Sequence, residues 1–241
     1  MGFGRRKKRE TKRSFLSIVV AAAGRSDRMG FDKLFAEVAG LPVLAHTLLA
    51  LDQAEVISEI IVVVRDQDIL DVGTLCRELN LQKAAKVIRG GARRVDSVFN
   101  GVLETDSRAT LIGVHDGARP LVTEAVISEA VQAAEEFGAA VPAVPVTDTI
   151  RRVDANGLVF DTPDRSSLYA MQTPQIFDAD ILKGALQKEL EEGRDITDDA
   201  AAVEAIGLPV RLTTGSPENI KLTWPPDLMT AEGILAGRYA R

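Results

Sequence analysis

Apolar positions along the chain fall into two alternating kinds of segment. Continuous runs of β-branched and aliphatic residues, without polar alternation, occur at 17–22 (SIVVAA), 60–64, 86–88, 110–114 and 139–144. Runs of that length and character read as strands covered on both faces. Between them, at 43–52, 67–79, 95–104 and 124–137, apolar residues recur three and four apart, the spacing of a helix with one buried face. Strict alternation of strand and helix requires parallel pairing through right-handed crossovers. The first two-thirds of the chain is therefore expected to be a doubly wound α/β sheet that binds ligands at the carboxyl ends of its strands.

After Val146 the rhythm breaks. Residues 149–161 alternate around Asp154-Ala155-Asn156-Gly157, which predicts a β-hairpin projecting from the sheet as an arm spanning 146–171. Helices at 179–191 and 198–205, a strand at 209–213 and a closing helix after Pro225-Pro226 complete the pattern. Neither an internal repeat nor a low-complexity linker interrupts it, so residues 15–241 read as one domain behind a basic tail, 1–14.

Composition narrows the chemistry. With 241 residues, 46% of them apolar and 27% charged, the chain can bury a real core, which excludes intrinsic disorder and fibrous repeats. A single cysteine, Cys76, excludes a disulfide framework and fits a reducing compartment. With His46 and His115 as the only histidines, the count also argues against a zinc site of Cys and His, and any metal is expected to be a hard, oxygen-bound ion. His115 reads as a packed strand-end residue, and His46 and Cys76 as helix packing or surface, since neither has a candidate partner in the sequence.

The net charge is −6, yet residues 1–13 carry seven basic side chains against Glu10 alone. The body is accordingly acidic, which argues against a nucleic-acid surface, and the tail is expected to be solvated and disordered. A basic stretch followed by residues 15–23 also resembles a secretory signal. Cleavage there would remove the strand that presents the first glycine turn, so the reading adopted is cytoplasmic, with no membrane span.

Three loops at strand ends carry candidate chemistry. Ala22-Ala23-Gly24, followed by Arg28 and Lys33, forms a turn of small residues whose amides can face an anion beside two cations. It is neither a Walker loop nor a dinucleotide fingerprint, since the required glycine and lysine spacings are missing. Gly90-Gly91 allows a flat ligand to lie on the backbone, with Ser97 one turn into the next helix to hydrogen-bond it. His115-Asp116-Gly117-Ala118-Arg119-Pro120 places Asp116 near the topological switch, where a carboxylate can hold Mg²⁺ or its waters; the alternative is an Asp116 to Arg119 ion pair bracing the turn. Pro145 to Thr149, Asp164-Arg165-Ser166 and Glu218 to Lys221 add charge and hydroxyls around the arm and the last helix.

In order and spacing, the Ala-Ala-Gly turn with Arg28 and Lys33, Gly90-Gly91 to Ser97, Val114-His115-Asp116 to Arg119-Pro120, Gln172-Thr173-Pro174-Gln175, Thr197-Asp198 and Asn219-Ile220-Lys221 resemble the 2-C-methyl-D-erythritol 4-phosphate cytidylyltransferase family. The likeness covers nearly everything from Ser17 to the last helix. It implies a Rossmann-like nucleotidyltransferase sheet and a reaction of non-mevalonate isoprenoid synthesis. CTP and the polyol phosphate give 4-diphosphocytidyl-2-C-methyl-D-erythritol and pyrophosphate, with Mg²⁺ held mainly by the CTP phosphates.

By matching positions, the resemblance assigns Arg28, Lys33 and Lys221 to charge neutralisation at the α-phosphate. It assigns Gly91 and Ser97 to cytosine, and Ala22, Ala23 and Gly24 to backbone contacts nearby. Asp116 and Arg119 would organise the nucleotide and metal side, Asp116 directly or through water. Thr149, Arg165, Thr173 and Thr197, together with Lys221, would meet the acceptor. Arg165 would reach in from the neighbouring subunit, which implies a homodimer through the arm.

The first turn departs from the family at Ser26, where a second Gly is usual, at Asp32, where Pro is usual, and in a shorter stretch between Arg28 and Lys33. Two other readings stand beside this one: a ribitol 5-phosphate cytidylyltransferase, and a catalytically silent nucleotide-binding module.

Overall fold

The computed structural model describes residues 14–24 and 30–239. The basic tail as far as Arg13, and Ser26 and Arg28 of the first turn, lie outside the described residues. β1 (Leu16–Ala22) leads into a short ladder, β2 (Glu37–Val38) with β3 (Leu41–Pro42), and then α1 (Val43–Gln53). The alternation continues through β4 (Glu59–Val64), α2 (Ile69–Glu78), β5 (Ala84–Arg89), α3 (Arg94–Leu103), β6 (Leu111–Asp116), α4 (Glu124–Phe137) and β7 (Ala139–Pro145). The arm carries β8 (Arg152–Val153) and β9 (Val159–Asp161), and the chain returns through β10 (Tyr169–Met171), β11 (Gln175–Asp178), α5 (Ala179–Glu192), α6 (Asp199–Ala205), β12 (Arg211–Thr214) and α7 (Pro226–Tyr239).

The main sheet runs in the order β10, β7, β11, β6, β1, β4, β5, with β12 pairing in parallel along β7. β1 lies between β4 and β6 and pairs in parallel with both. Its side chains alternate between two cores, as the absence of polar alternation predicted. Ile18 and Val20 join Leu44, Leu48, Val62 and Ile127 on one face. Val19 joins Val63, Val98, Val114, Phe177 and Leu182 on the other. Each such aliphatic side chain, fully buried, contributes about 1.5–3 kcal/mol. Where α3 crosses the sheet, Gly101 leaves the room: a Cβ there would stand 2.4 Å from Val19 Cγ1 and 2.8 Å from Val63 Cγ2.

The sheet is mostly parallel, as expected from the alternation in the first two-thirds of the chain, and its antiparallel members come from the last third: β11 is inserted between β6 and β7, pairing Gln175 with Val114 and Ile176 with Ala140. β10 adds a second antiparallel strand on β7. The sheet is mostly parallel and doubly wound, with its later strands threaded back into it.

The hairpin is present but shorter than the alternation suggested. Arg152 pairs with Asp161 and Val153 with Val159. Asp154 Oδ1 accepts the amides of Asn156 and Leu158, both at 2.9 Å, and Gly157 supplies the left-handed residue at φ +81. Val153, Leu158, Val159 and Phe160 of the arm are all exposed. His46, for which the sequence offers no candidate partner, packs on α1 and bonds the Val38 carbonyl through Nε2 at 2.7 Å, tying α1 to β2. No helix among the described residues is long and apolar enough to cross a membrane.

Candidate functional site

Because β1, β4 and β6 are parallel and in register, with Ala22 opposite Val64 and Ala21 opposite Asp116, their carboxyl ends open side by side at the switch point. The first two loops touch there. A Cβ on Gly90 would stand 2.5 Å from the Ala23 Cβ and 2.9 Å from Ser97 Oγ, so only glycine lets the loop before α3 approach the turn after β1 this closely. The Gly91 amide donates to Ser97 Oγ at 3.0 Å, and that hydroxyl lies 3.0 Å from the Arg93 carbonyl. Gly24 and Gly91 are exposed and Ala23 half-buried, while Ala22 and Ser97 are buried. Ser97 thus holds the loop in shape beneath the surface that Gly91 presents.

The charged centre lies on the next strand end. Asp116 Oδ2 receives Arg119 Nε at 3.1 Å and Lys221 Nζ at 3.1 Å. Burial pushes the Asp116 carboxyl up, but the charge of Lys221, then those of Arg119 and Arg94, outweigh it and hold the group at about 2. Lys33 belongs to the same place: its Nζ donates to the Leu222 carbonyl at 3.0 Å, and the Leu222 amide donates to the Ala118 carbonyl at 2.9 Å. The ion pair that the sequence offered as the alternative role for Asp116 is present, joined by a lysine from far along the chain.

Beneath Asp116 the polar groups form a closed set. The Asp116 amide donates to Thr173 Oγ1 at 3.0 Å, which leaves the threonine hydroxyl to donate to His115 Nδ1, also at 3.0 Å. His115 Nε2 then carries the proton and donates to the Arg119 carbonyl at 3.2 Å. Full burial pushes the His115 pKa down to about 4, so it is neutral at pH 7 and serves as a brace. Thr173, expected to face a ligand, is buried with its hydroxyl engaged on both sides; the structure makes it a support for Asp116.

Segments 172–175 and 215–221 are knitted together around this set. Arg119 Nη1 donates to the Asn219 carbonyl at 2.8 Å, and Asn219 Nδ2 to the Thr173 carbonyl at 2.9 Å. Gln172 bonds Ser216 in both directions, at 2.8 and 3.1 Å. Gln175 Oε1 accepts the amides of Asp199 and Ala200, and its Nε2 donates to Asp198, which fixes the start of α6. Asp199 takes Arg94 in a two-pronged pair at 3.1 and 2.6 Å. Burial pushes Asp199 up while Arg94 draws it back, and the Asp199 charge raises Arg94 against the cost of its own burial. Asp199 was not legible in the sequence, because its partner lies 105 positions away and no local pattern marks the pair.

Other expected positions are not joined to this centre. Thr197, just before α6, and Thr149 and Arg165, at the base of the arm, are exposed. Arg165 Nη1 donates to the Thr147 carbonyl at 2.8 Å and lines a recess of about 550 Å³ with Pro145, Val146, Asp164 and Ser166. Among the described residues no cluster of three or more His, Cys, Asp or Glu side chains could hold a metal ion. Asp116 is the carboxylate at the charged centre, and both its cationic partners meet one oxygen, Oδ2. Its other oxygen, Oδ1, meets no cation among the described residues, which suits a Mg²⁺ ion that brings its other ligands as phosphate and water.

Comparison with known proteins places this arrangement in a family. The family model of 2-C-methyl-D-erythritol 4-phosphate cytidylyltransferase matches residues 16–237. A protein of that name from Caldanaerobacter subterraneus is 43% identical over 227 residues, covering 91% of this chain and 98% of the relative. Another, from Halalkalibacterium halodurans, is 44% identical, with 93% and 99% covered. The solved structure of 4-diphosphocytidyl-2C-methyl-D-erythritol synthase from Anaerococcus prevotii superposes with a TM-score of 0.82 at 29% identity, covering 92% of this chain and 99% of that one. The chain belongs to the 2-C-methyl-D-erythritol 4-phosphate cytidylyltransferase family.

Proposed function

We propose that the protein transfers CMP from CTP to 2-C-methyl-D-erythritol 4-phosphate, releasing pyrophosphate. One observation carries this reading beyond family membership: Lys221 and Arg119 share Asp116 at the end of β6, and Lys33, from a third stretch of chain, bonds the carbonyl of Leu222 beside Lys221. A phosphate monoester dianion is already a nucleophile. Its in-line attack on the α-phosphorus needs alignment and cancelled charge more than a general base, which accords with His115 being buried and neutral.

In this mechanism Gly91 and the Ser97-braced loop receive cytosine, and the backbone of Ala22, Ala23 and Gly24 lies under the nucleotide. Lys33 and Lys221, joined by Arg28 from outside the described residues, neutralise charge as it builds on the α-phosphate oxygens. Asp116 sets the position of Lys221 and Arg119 and offers its remaining oxygen to Mg²⁺, directly or through water. The ion, bound mainly by the triphosphate, supplies electrostatic stabilisation of the departing pyrophosphate. The acceptor phosphate meets Lys221, Thr149 and Thr197, with Arg165 supplied across a homodimer whose contact is the exposed apolar arm. The enzyme works as a single cytidylyltransferase domain of the cytoplasm, without nucleic-acid or membrane partners.

Incubation with CTP, Mg²⁺ and a panel of polyol phosphates, with products identified by mass spectrometry, tests the proposal. The expected product is 4-diphosphocytidyl-2-C-methyl-D-erythritol. Preference for ribitol 5-phosphate would move the acceptor assignment, and CTP binding without turnover would leave a silent nucleotide-binding module.

A further inference from the structure

Arg65 is the first residue after β4, next to the strand that ends in the Ala22-Ala23-Gly24 turn, and no motif in the sequence marks it. Its guanidinium crosses to the exit of that turn. Nη2 meets Asp32 Oδ2, and Nε meets Asp68 Oδ2. Asp32 is in turn the anchor of the residues that follow it. Its Oδ1 accepts the Leu34 amide at 3.2 Å, and its carbonyl accepts the amides of Phe35 and Ala36 at 3.3 and 3.1 Å. Leu34 is 4% exposed and joins the core with Leu44, whose amide donates to the Leu34 carbonyl at 3.0 Å. Lys33 lies between these two fixed points, with its Nζ on Leu222.

The arrangement has an electrostatic as well as a geometric side. Asp32 puts a carboxylate one residue from a lysine that has to meet a polyanion. Left unpaired, that charge would repel phosphate; paired with Arg65, which it shares with Asp68, it is partly offset and the loop exit is pinned to the end of β4. The half-buried setting of both side chains, 28% and 26% exposed, limits solvent screening of the pair.

We infer that Arg65 is a positioning residue for the nucleotide site, a clasp that holds Asp32, offsets part of its charge and thereby fixes Lys33 toward the triphosphate. The inference rests on the CTP-side reading of Lys33 given above. It differs from that reading in placing part of the CTP affinity on a residue that does not touch the nucleotide.

The test is a set of variants of the full chain, checked for unchanged melting and compared for Mg²⁺–CTP binding by calorimetry and for kcat and KM. Arg65→Gln leaves the Asp32 carboxylate uncancelled and is expected to weaken CTP about five- to tenfold. Asp32→Asn alone should cost less, and the Arg65→Gln/Asp32→Asn double variant should return to the level of Asp32→Asn, because the carboxylate adjoining Lys33 is then gone and only Asp68, on the β4 side, has lost its cation. Arg65→Lys should restore most of the affinity. In a Lys33→Met background, Arg65→Gln should add little.

A double variant no better than Arg65→Gln, or an Arg65→Gln as tight as the parent, overturns the clasp. Parent protein that does not bind CTP at all overturns instead the reading of the site on which the clasp depends.

Discussion

Lys221 Nζ and Arg119 Nε both lie 3.1 Å from the same oxygen of Asp116. Two cations on one carboxylate oxygen leave a surplus positive charge at the strand end, and that surplus is what a triphosphate would meet. Asp116→Asn removes the charge that gathers them. Breaking a buried pair of this kind costs on the order of 3 kcal/mol, which urea unfolding at pH 7 will show. The folded carboxyl sits at about 2 against an ordinary 3.8, so its stabilisation is complete above the ordinary value and is lost as pH falls through the folded one. The parent and the asparagine variant should therefore converge in stability toward pH 2.

His115 predicts a loss at milder acidity. Its ordinary pKa of 6.5 is lowered to about 4 in the fold, so between those values the unfolded chain takes up a proton that the folded chain refuses. Stability should fall as pH drops from 6.5 toward 4, and His115→Gln, which has no such proton to bind, should flatten that slope. A variant whose urea midpoint still follows the parent across that range would remove His115 from the account.

Gly90 gives a steric prediction. A methyl group there must displace Ala23 or Ser97, at 2.5 and 2.9 Å, and overpacking of this sort costs about 1–3 kcal/mol. Gly90→Ala should lower the melting temperature and raise the CTP KM more than the acceptor KM, since it separates the two loops on the nucleotide side. An equal effect on both substrates would mean that these loops do not divide the labour as proposed.

Arg165 tests the shared site. Arg165→Ala should raise the acceptor KM while leaving CTP binding intact, because its contacts lie at the base of the arm and not at the Asp116 centre. Mixing it with a Lys33→Met protein should recover part of the activity if each site borrows its arginine from the other subunit. Absence of recovery in mixed dimers would count against that sharing.

Much of this was legible in the sequence, and what was not has a common cause. β1, β4 and α4 could be read because continuous β-branched runs and three- and four-residue spacing are local signals. β10 and β11 escaped notice. β11 is four residues long, and its first, Gln175, is a buried polar residue whose amide is spent on α6, which spoils the apolar run expected of an interior strand. The candidate site was legible as a list of loops. That Lys221 would choose Asp116, Arg94 would choose Asp199, and Arg65 would choose Asp32 depends on contacts across the fold, to which no periodicity refers. The inward bond of Thr173 to the Asp116 amide was illegible for the same reason, since the two residues lie 57 positions apart.

The insertion of β11 bears on how the chain reaches its final form. A strand that enters between two earlier strands, after the arm has been traversed, leaves the half-built sheet with a gap in its interior. Sealing that gap means closing a long loop, an entropic cost that local contacts cannot offset and that slows folding. Thr173 reaches the Asp116 amide only with that segment in place, so the polar set beneath the binding surface depends on the same closure.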